Sequence, residues 1–356
     1  MMLHSELSRS RSSRRMTAFL VAVALMMTLS GRAGAQDGPA PSGAAPAPTA
    51  QPPPADAGNG KRAAFQDWLR GVREEGLRLG ISAATLDSAL AGLTPIARVI
   101  QLDRRQPEFT QTFRAYIDAR VSSWRVNTGR ERLGQHGDIL KQISAKYGVQ
   151  PRFIVALWGL ETSFGRATGG FPVVQALATL AFDGRRADYF RRELFNAMKI
   201  IDAGHVSAAG MKGSWAGAMG QNQFMPSSFL SYAVDHNGDG RRDIWGTTAD
   251  VFASSANYLK QSGWRDDQTW GREVRLPDGF ADRLPELMPK SPPRGCRDLR
   301  KLSVEKNLVE WSKLGVRAAD GGPLPKRALK ASLALPEGPE GPALLVYGNF
   351  RATMRW

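Results

Sequence analysis

Apolar residues recur along most of this chain at the three- and four-residue spacing of amphipathic helices. Phe65, Leu69, Val72 and Leu77 mark one such face, ended by Gly80, and a second helix is predicted from Ser82 or Ala83 to Leu90. The same spacing predicts helices from Phe109 to Trp124 and from Ile139 to Tyr147, with Gly148 as a stop. Arg152 to Ser163 differs, because Phe153, Ile154, Val155, Leu157, Trp158 and Leu160 leave no polar face, the pattern of a helix buried in the core. Further helices are predicted from Val173 to Leu180, Ala187 to Ala203, Ser227 to Val234 and Asp250 to Ser262, joined by glycine-rich connections. After Gly271 the pattern changes to two short strands, Glu273 to Leu276 and Ala343 to Val346, and one amphipathic piece from Ser303 to Leu314. No fixed-period repeat is present, which argues against a solenoid. The expected fold class is mainly α (α+β), with a helical region over residues 62–271 and a smaller mixed lobe over 272–356.

The first 61 residues break the pattern. Arg9, Arg11, Arg14 and Arg15 precede an apolar run from Met16 to Leu29 that ends near Ala33-Gly34-Ala35, the layout of a secretory signal peptide over residues 1–35 with cleavage expected after Ala35. The run is shorter than the roughly 20 residues that cross a bilayer, and no cysteine follows it to carry a lipid, so no permanent membrane anchor is expected. Residues 36–61 are rich in Pro, Ala and Gly with almost no large apolar side chains, and are predicted to be a disordered linker.

Charge and cysteine usage refine this picture. The formal net charge of +15 is inflated by the leader, but without it the protein is still basic and is drawn towards polyanions. Export points to an anionic envelope polymer, and no element for reading nucleic acid accompanies the charge. Cys296 is the one cysteine, so no intramolecular disulfide is expected and the core must hold the fold.

Glu161 lies inside the most apolar predicted helix. Burial beside Trp158 and Phe164 is expected to raise its pKa towards the range of a general acid. The competing reading, a structural carboxylate paired with Arg152 or Arg166, stands level with it on the helix alone. A second segment, Lys212 to Ser228, is dense in glycine, amide and hydroxyl residues, which suits a backbone approached closely by a ligand. Ser214, Gln221 and Gln223 are its candidate polar groups.

These pieces resemble the lytic murein transglycosylase B family. The resemblance rests on Gly159-Leu160-Glu161-Thr162-Ser163-Phe164-Gly165, Ala176-Leu177-Ala178-Thr179-Leu180, the block from Gly213 to Ser228, and Ala256-Asn257-Tyr258, in that order. It covers the chain from about Phe65 to the C-terminus. It implies a lysozyme-like helical catalytic domain in the periplasm, acting on peptidoglycan glycan strands beside other cell-wall enzymes, with no cofactor required. By that resemblance Glu161 protonates the glycosidic oxygen between N-acetylmuramic acid and N-acetylglucosamine. It then takes the proton of the muramoyl C6 hydroxyl as a 1,6-anhydro ring closes. Ser214 and Gln223 match positions lining the site, and Tyr258 matches an aromatic residue of the groove. A hydrolase would need a second carboxylate; Asp183 and Glu193 are the nearest in sequence, and both read as ordinary helix-surface charges.

Two features depart from the resemblance or extend it. Asp235, Asn237 and Asp239 with Gly240 match the opening of an EF-hand loop, and Arg241 would offer its backbone carbonyl, but Gly246 stands where a bidentate glutamate belongs. Asp250 is the nearest closing ligand, displaced by one residue from a longer calcium loop. A structural Ca2+ site and a metal-free Asp- and Gly-rich turn are the two readings. The family pattern also continues past a segment like Gly348 to Trp356 with an asparagine and a tyrosine, and this sequence stops before them. By resemblance their absence makes a peptidoglycan-binding protein without turnover one alternative to an active transglycosylase; a hydrolytic muramidase, which would use a second carboxylate, is another.

Overall fold

The structure, a computed structural model, describes residues 55–104, 112–290 and 301–356. The signal peptide expected over 1–35, the linker up to residue 54 and Cys296 lie outside the described residues. The chain forms two compact units. One combines Glu161–Val251 with the stretch before Pro107, and the other combines Glu108–Leu160 with Phe252–Trp356.

The first unit opens with the helix Ala55–Arg78. The linker was expected to reach residue 61, so its last seven positions are helical instead. Gly58 and Gly60 each weaken a helix by about 1 kcal/mol, which hid this turn. Buried Phe65, Leu69 and Val72 further along anchor a helix long enough to carry it. Leu77 is 42% exposed, contrary to expectation. Gly76 occupies the buried face in its place, and a Cβ there would stand 2.5 Å from Leu86 Cδ2. Positions 65, 69, 72 and 76 keep one face, whereas 77 is turned away by about 100°.

Ser82 caps the helix Ala83–Leu90, its Oγ accepting from the Thr85 amide at 3.2 Å. The unpredicted helix Ala97–Arg104 buries Asp103, which pairs with Arg186 at 2.5 Å and Arg185 at 3.3 Å. Helices Val173–Asp183 and Ala187–Asp202 complete this core, with Phe182 edge-on to Phe65 at 5.1 Å. A two-stranded ribbon pairs β1 (Phe171–Pro172) with β2 (Lys212–Gly213), and the helix Pro226–Tyr232 comes after it.

In the second unit the expected helix from Phe109 to Trp124 is broken. Its described part is Phe113–Arg120, and Ser122 then turns extended and caps a separate helix, Ser123–Gln135. The serine hydroxyl competes for the backbone amide of Arg125, which the periodic apolar pattern does not reveal. Gly137–Tyr147 ends in Gly148 at φ 72°. The helix Pro151–Thr162 starts in this unit, where Phe153 meets Trp264 at 4.7 Å and Trp158 meets Phe252 at 5.1 Å.

The mixed lobe is a five-stranded antiparallel sheet, in the order β4 (Lys306–Asn307), β6 (Lys330–Ala334), β7 (Ala343–Val346), β3 (Gly271–Arg275), β5 (Arg317–Ala318). Gly271 pairs with Val346 and Val274 with Ala343, so the two expected strands are central neighbours. Trp311, Tyr347, Leu333 and Leu345 fill its core. The helix Gly348–Thr353 is tied down by buried Asn349. This side chain accepts from the Arg265 amide at 2.7 Å and donates to the carbonyls of Arg265 and Gln268 at 2.7 and 2.8 Å.

Candidate active site

Glu161 sits in the last turn of the helix Pro151–Thr162 and is half-buried. Trp158, one turn back, and Phe164, three residues on, are each 6% exposed. The backbone leaves this helix in an unusual way. Ser163, Phe164 and Gly165 are consecutive left-handed residues at φ 50°, 63° and 81°. For a side chain with a Cβ this region costs about 1–2 kcal/mol per residue. Among the described residues, the non-glycine positions with such a φ are Ser163, Phe164 and Gln223. All three lie in the two segments singled out for chemistry, where backbone strain is retained when the surroundings enforce it.

The second segment folds tightly on itself. A Cβ on Gly213 would stand 2.1 Å from the Ala218 carbonyl oxygen, and one on Gly217 2.4 Å from Leu177 Cδ2. At these two positions the lack of a Cβ admits the protein's own atoms. Ser214 is half-buried and its Oγ accepts from the Ala218 amide at 3.0 Å. Gln221 is buried, donating from Nε2 to the Trp245 carbonyl at 2.7 Å and from its amide to the Ile244 carbonyl at 2.8 Å. Half-buried Gln223 donates from Nε2 to the carbonyls of Thr168 and Gly220, both at 3.0 Å. Two carbonyl partners fix which end of that amide is nitrogen, and Oε1 is then the end left to receive a donor.

Two ties bring Glu161 together with this segment. Thr162 Oγ1 donates to the Gln221 carbonyl at 3.0 Å, and Gln223 reaches the Thr168 carbonyl from the other side. Glu161, Ser214, Gln221 and Gln223 therefore share one unit. Tyr258 belongs to the other. It is 6% exposed, its hydroxyl donates to the Arg355 carbonyl, and its ring lies 4.9 Å from that of Trp356.

The two alternative carboxylates are engaged elsewhere. Asp183 pairs with Arg104 at 2.9 Å. Glu193 is buried and takes both the amide and the hydroxyl of Ser227, at 2.8 and 2.7 Å. Glu193 is thus a core residue and not the surface charge its helix suggested.

The acidic loop closes on its own amides. Asp235 accepts from Gly238 and Gly240 at 2.7 and 2.8 Å, and Asp239 accepts from the Arg241 amide at 2.9 Å and from Asn237 Nδ2 at 3.0 Å. Asp250 is fully buried, with the amides of His236 and Asp243 each at 2.8 Å on its two oxygens. Burial, with Asp235 adding to it, holds the Asp250 carboxyl above its ordinary range against the pull of those amides. Among the described residues no three His, Cys, Asp or Glu side chains gather as a metal site. Asp235, Asp239 and Asp250 thus each hold backbone N–H groups of their own loop, and the carboxylate lone pairs left over are the donors a calcium ion would use.

Sequence reasoning passed over Thr162, which is 1% exposed and also receives the Gly165 amide at 3.1 Å. Its signal was a hydroxyl residue closing an otherwise apolar helix, next to an ionisable one.

Comparison with known proteins gives the family. The family model described as the transglycosylase SLT domain matches residues 64–356. Membrane-bound lytic murein transglycosylase B of Escherichia coli (strain K12) is 43% identical over 161 residues, 44% of each chain, so this chain spans under half the length of that curated relative. SltB3 from Pseudomonas aeruginosa, solved with NAG-anhNAM-pentapeptide and with NAG-NAM-pentapeptide, is 45% identical with a TM-score of 0.75, covering 82% of this chain and 74% of its own. Escherichia coli lytic transglycosylase Slt35, solved in complex with calcium, is 28% identical with a TM-score of 0.65, covering 81% and 86%. The fold is the lysozyme-like one of these relatives, and the chain belongs to the transglycosylase SLT domain family.

Proposed function

We propose that this protein is a peptidoglycan lytic transglycosylase that cleaves the β-1,4 bond between N-acetylmuramic acid and N-acetylglucosamine. The observation that carries the reading is one half-buried carboxylate, Glu161, whose neighbour Thr162 is bonded to Gln221 in the segment that holds Ser214 and Gln223, while Asp183 and Glu193 are engaged elsewhere. The likeness to SltB3, solved with an anhydro-muramoyl peptide, supports it.

Protonated Glu161 gives its proton to the glycosidic oxygen as the bond to muramoyl C1 breaks. The resulting carboxylate faces an oxocarbenium-like sugar. It then takes the proton of the C6 hydroxyl as that oxygen bonds to C1, so Glu161 is restored and no water is consumed. Gln223 Oε1 and the Ser214 hydroxyl orient the acetamido and hydroxyl groups of the sugar. Tyr258 packs on Trp356, and its part in the groove rests on the family resemblance alone. The chemistry needs no cofactor. The protein works in the periplasm, where its positive charge holds it to the wall polymer alongside other wall enzymes.

The test is mass spectrometry of muropeptides released from purified sacculi, with Glu161→Gln in parallel. Anhydro-muramoyl products that vanish in the variant are expected. Hydrated products would make the protein a muramidase, and binding without products would make it a wall-binding protein.

A further inference from the structure

One residue past Glu161, Ser163, Phe164 and Gly165 are consecutive left-handed residues, and the buried hydroxyl of Thr162 spans them. Thr162 Oγ1 receives the amide of Gly165, at the far end of the left-handed turn, and gives its own hydrogen to the carbonyl of Gln221. Gln221 is itself fixed to the next loop through the Ile244 and Trp245 carbonyls. Space around this joint is tight, since a Cβ on Gly165 would stand 2.4 Å from Gln221 Oε1. We infer that Thr162 is a positioning residue for Glu161: its hydroxyl clamps the turn 163–165 to Gln221 and so fixes where the carboxylate is aimed. The inference rests on the reading of Glu161 as the acid and base.

The physical argument is one of alternatives. Ser163 and Phe164 would leave the left-handed region if nothing opposed it, because an ordinary helix end offers them a lower-energy path. With Thr162 at 1% exposure, water does not replace a lost partner. Removal of the hydroxyl takes its bond from both the Gly165 amide and the Gln221 carbonyl, and the last helical turn, which carries Glu161, moves with the relaxing backbone. Misplacement of a reacting group by about 1 Å costs on the order of 100-fold in rate.

The experiment compares full-length wild type, Thr162→Val, Thr162→Ser and Glu161→Gln on a soluble glycan strand, reading kcat and KM separately. Hydrogen exchange at the Gly165 amide is tracked in the same proteins. Thr162→Val, close in shape, is expected to lower kcat by about 10- to 100-fold with KM within about twofold, and to lose protection at Gly165. Thr162→Ser restores both. Full kcat in Thr162→Val beside an inactive Glu161→Gln would overturn the clamp alone. An active Glu161→Gln would overturn the reading of Glu161, and the clamp with it. If Thr162→Val does not fold, Thr162→Ser and Thr162→Ala decide, and equal kcat in those two would sink the inference.

Discussion

Glu193 holds Ser227 by two bonds at once, one carboxylate oxygen on its amide and the other on its hydroxyl. The pair fastens the helix Pro226–Tyr232, just after the Gln221–Gln223 stretch, to the helix Ala187–Asp202. Ser227→Ala leaves a buried carboxylate oxygen short of a donor, a loss of about 1–3 kcal/mol. Chemical denaturation of Ser227→Ala and Glu193→Gln should show destabilisation in both. Muropeptides from either variant should remain anhydro, since neither residue handles the substrate. A switch to hydrated products, or loss of turnover at full stability, would return Glu193 to the catalytic machinery.

A second prediction concerns pH. His136 lies edge-on to Trp158 at 5.6 Å and to Phe252 at 5.3 Å. Burial, and then Arg132, holds its pKa below the ordinary imidazole value; burial and then Arg242 and Arg241 do the same for His205. A base lowered in the folded state binds fewer protons folded than unfolded. Its contribution is therefore present above the unfolded value of about 6.5 and is lost as pH falls through the folded value. Thermal melts between about pH 5 and 8 should show Tm falling below about 6.5, with a shallower slope in His136→Phe. An unchanged slope in that variant would mean that His136 does not contribute.

Much of this was legible in the sequence because burial and chemistry coincide there. The helix around Glu161 was readable from its unbroken apolar run, and β7 from its four apolar residues. The features that stayed hidden depended on partners far along the chain. The strand β6, Lys330–Ala334, is defined by pairing with β4 and β7 more than by alternation. Leu77 was misplaced because a glycine, which adds no hydrophobicity, holds the buried position beside it. The positive φ of Ser163, Phe164 and Gln223 contradicts local preference, so no reading of propensity would find it.

The acidic loop yields a third prediction. The Asp235 and Asp250 oxygens and Asp239 Oδ1 each receive a backbone N–H, so the loop's own amides hold its shape. EDTA should leave Tm and turnover unchanged, and millimolar calcium should raise Tm by no more than magnesium does. Asp250→Asn, which keeps one acceptor, should still lower stability by about 1–3 kcal/mol because one of two buried amides loses its partner. A calcium-specific rise in Tm, abolished in Asp250→Asn, would establish that the loop reorganises around the ion.

Gln223 separates strain from function. Its backbone is left-handed at φ 53°, while its side chain bonds to Thr168 and Gly220. Gln223→Ala loses the bonds and keeps the strain, and should cost about 1–3 kcal/mol. Gln223→Gly loses the same bonds but accepts this backbone freely, so relief of about 1 kcal/mol should leave it measurably more stable than the alanine variant. If the amide also orients the sugar, both variants should fall in activity to the same extent despite their different stabilities. Denaturant midpoints and anhydro-muropeptide release, measured on the same preparations, provide the comparison. Activity that tracked stability would make Gln223 a brace for the loop alone. Equal loss at unequal stability would assign its Oε1 to the substrate, because the glycine variant restores the backbone without restoring the amide.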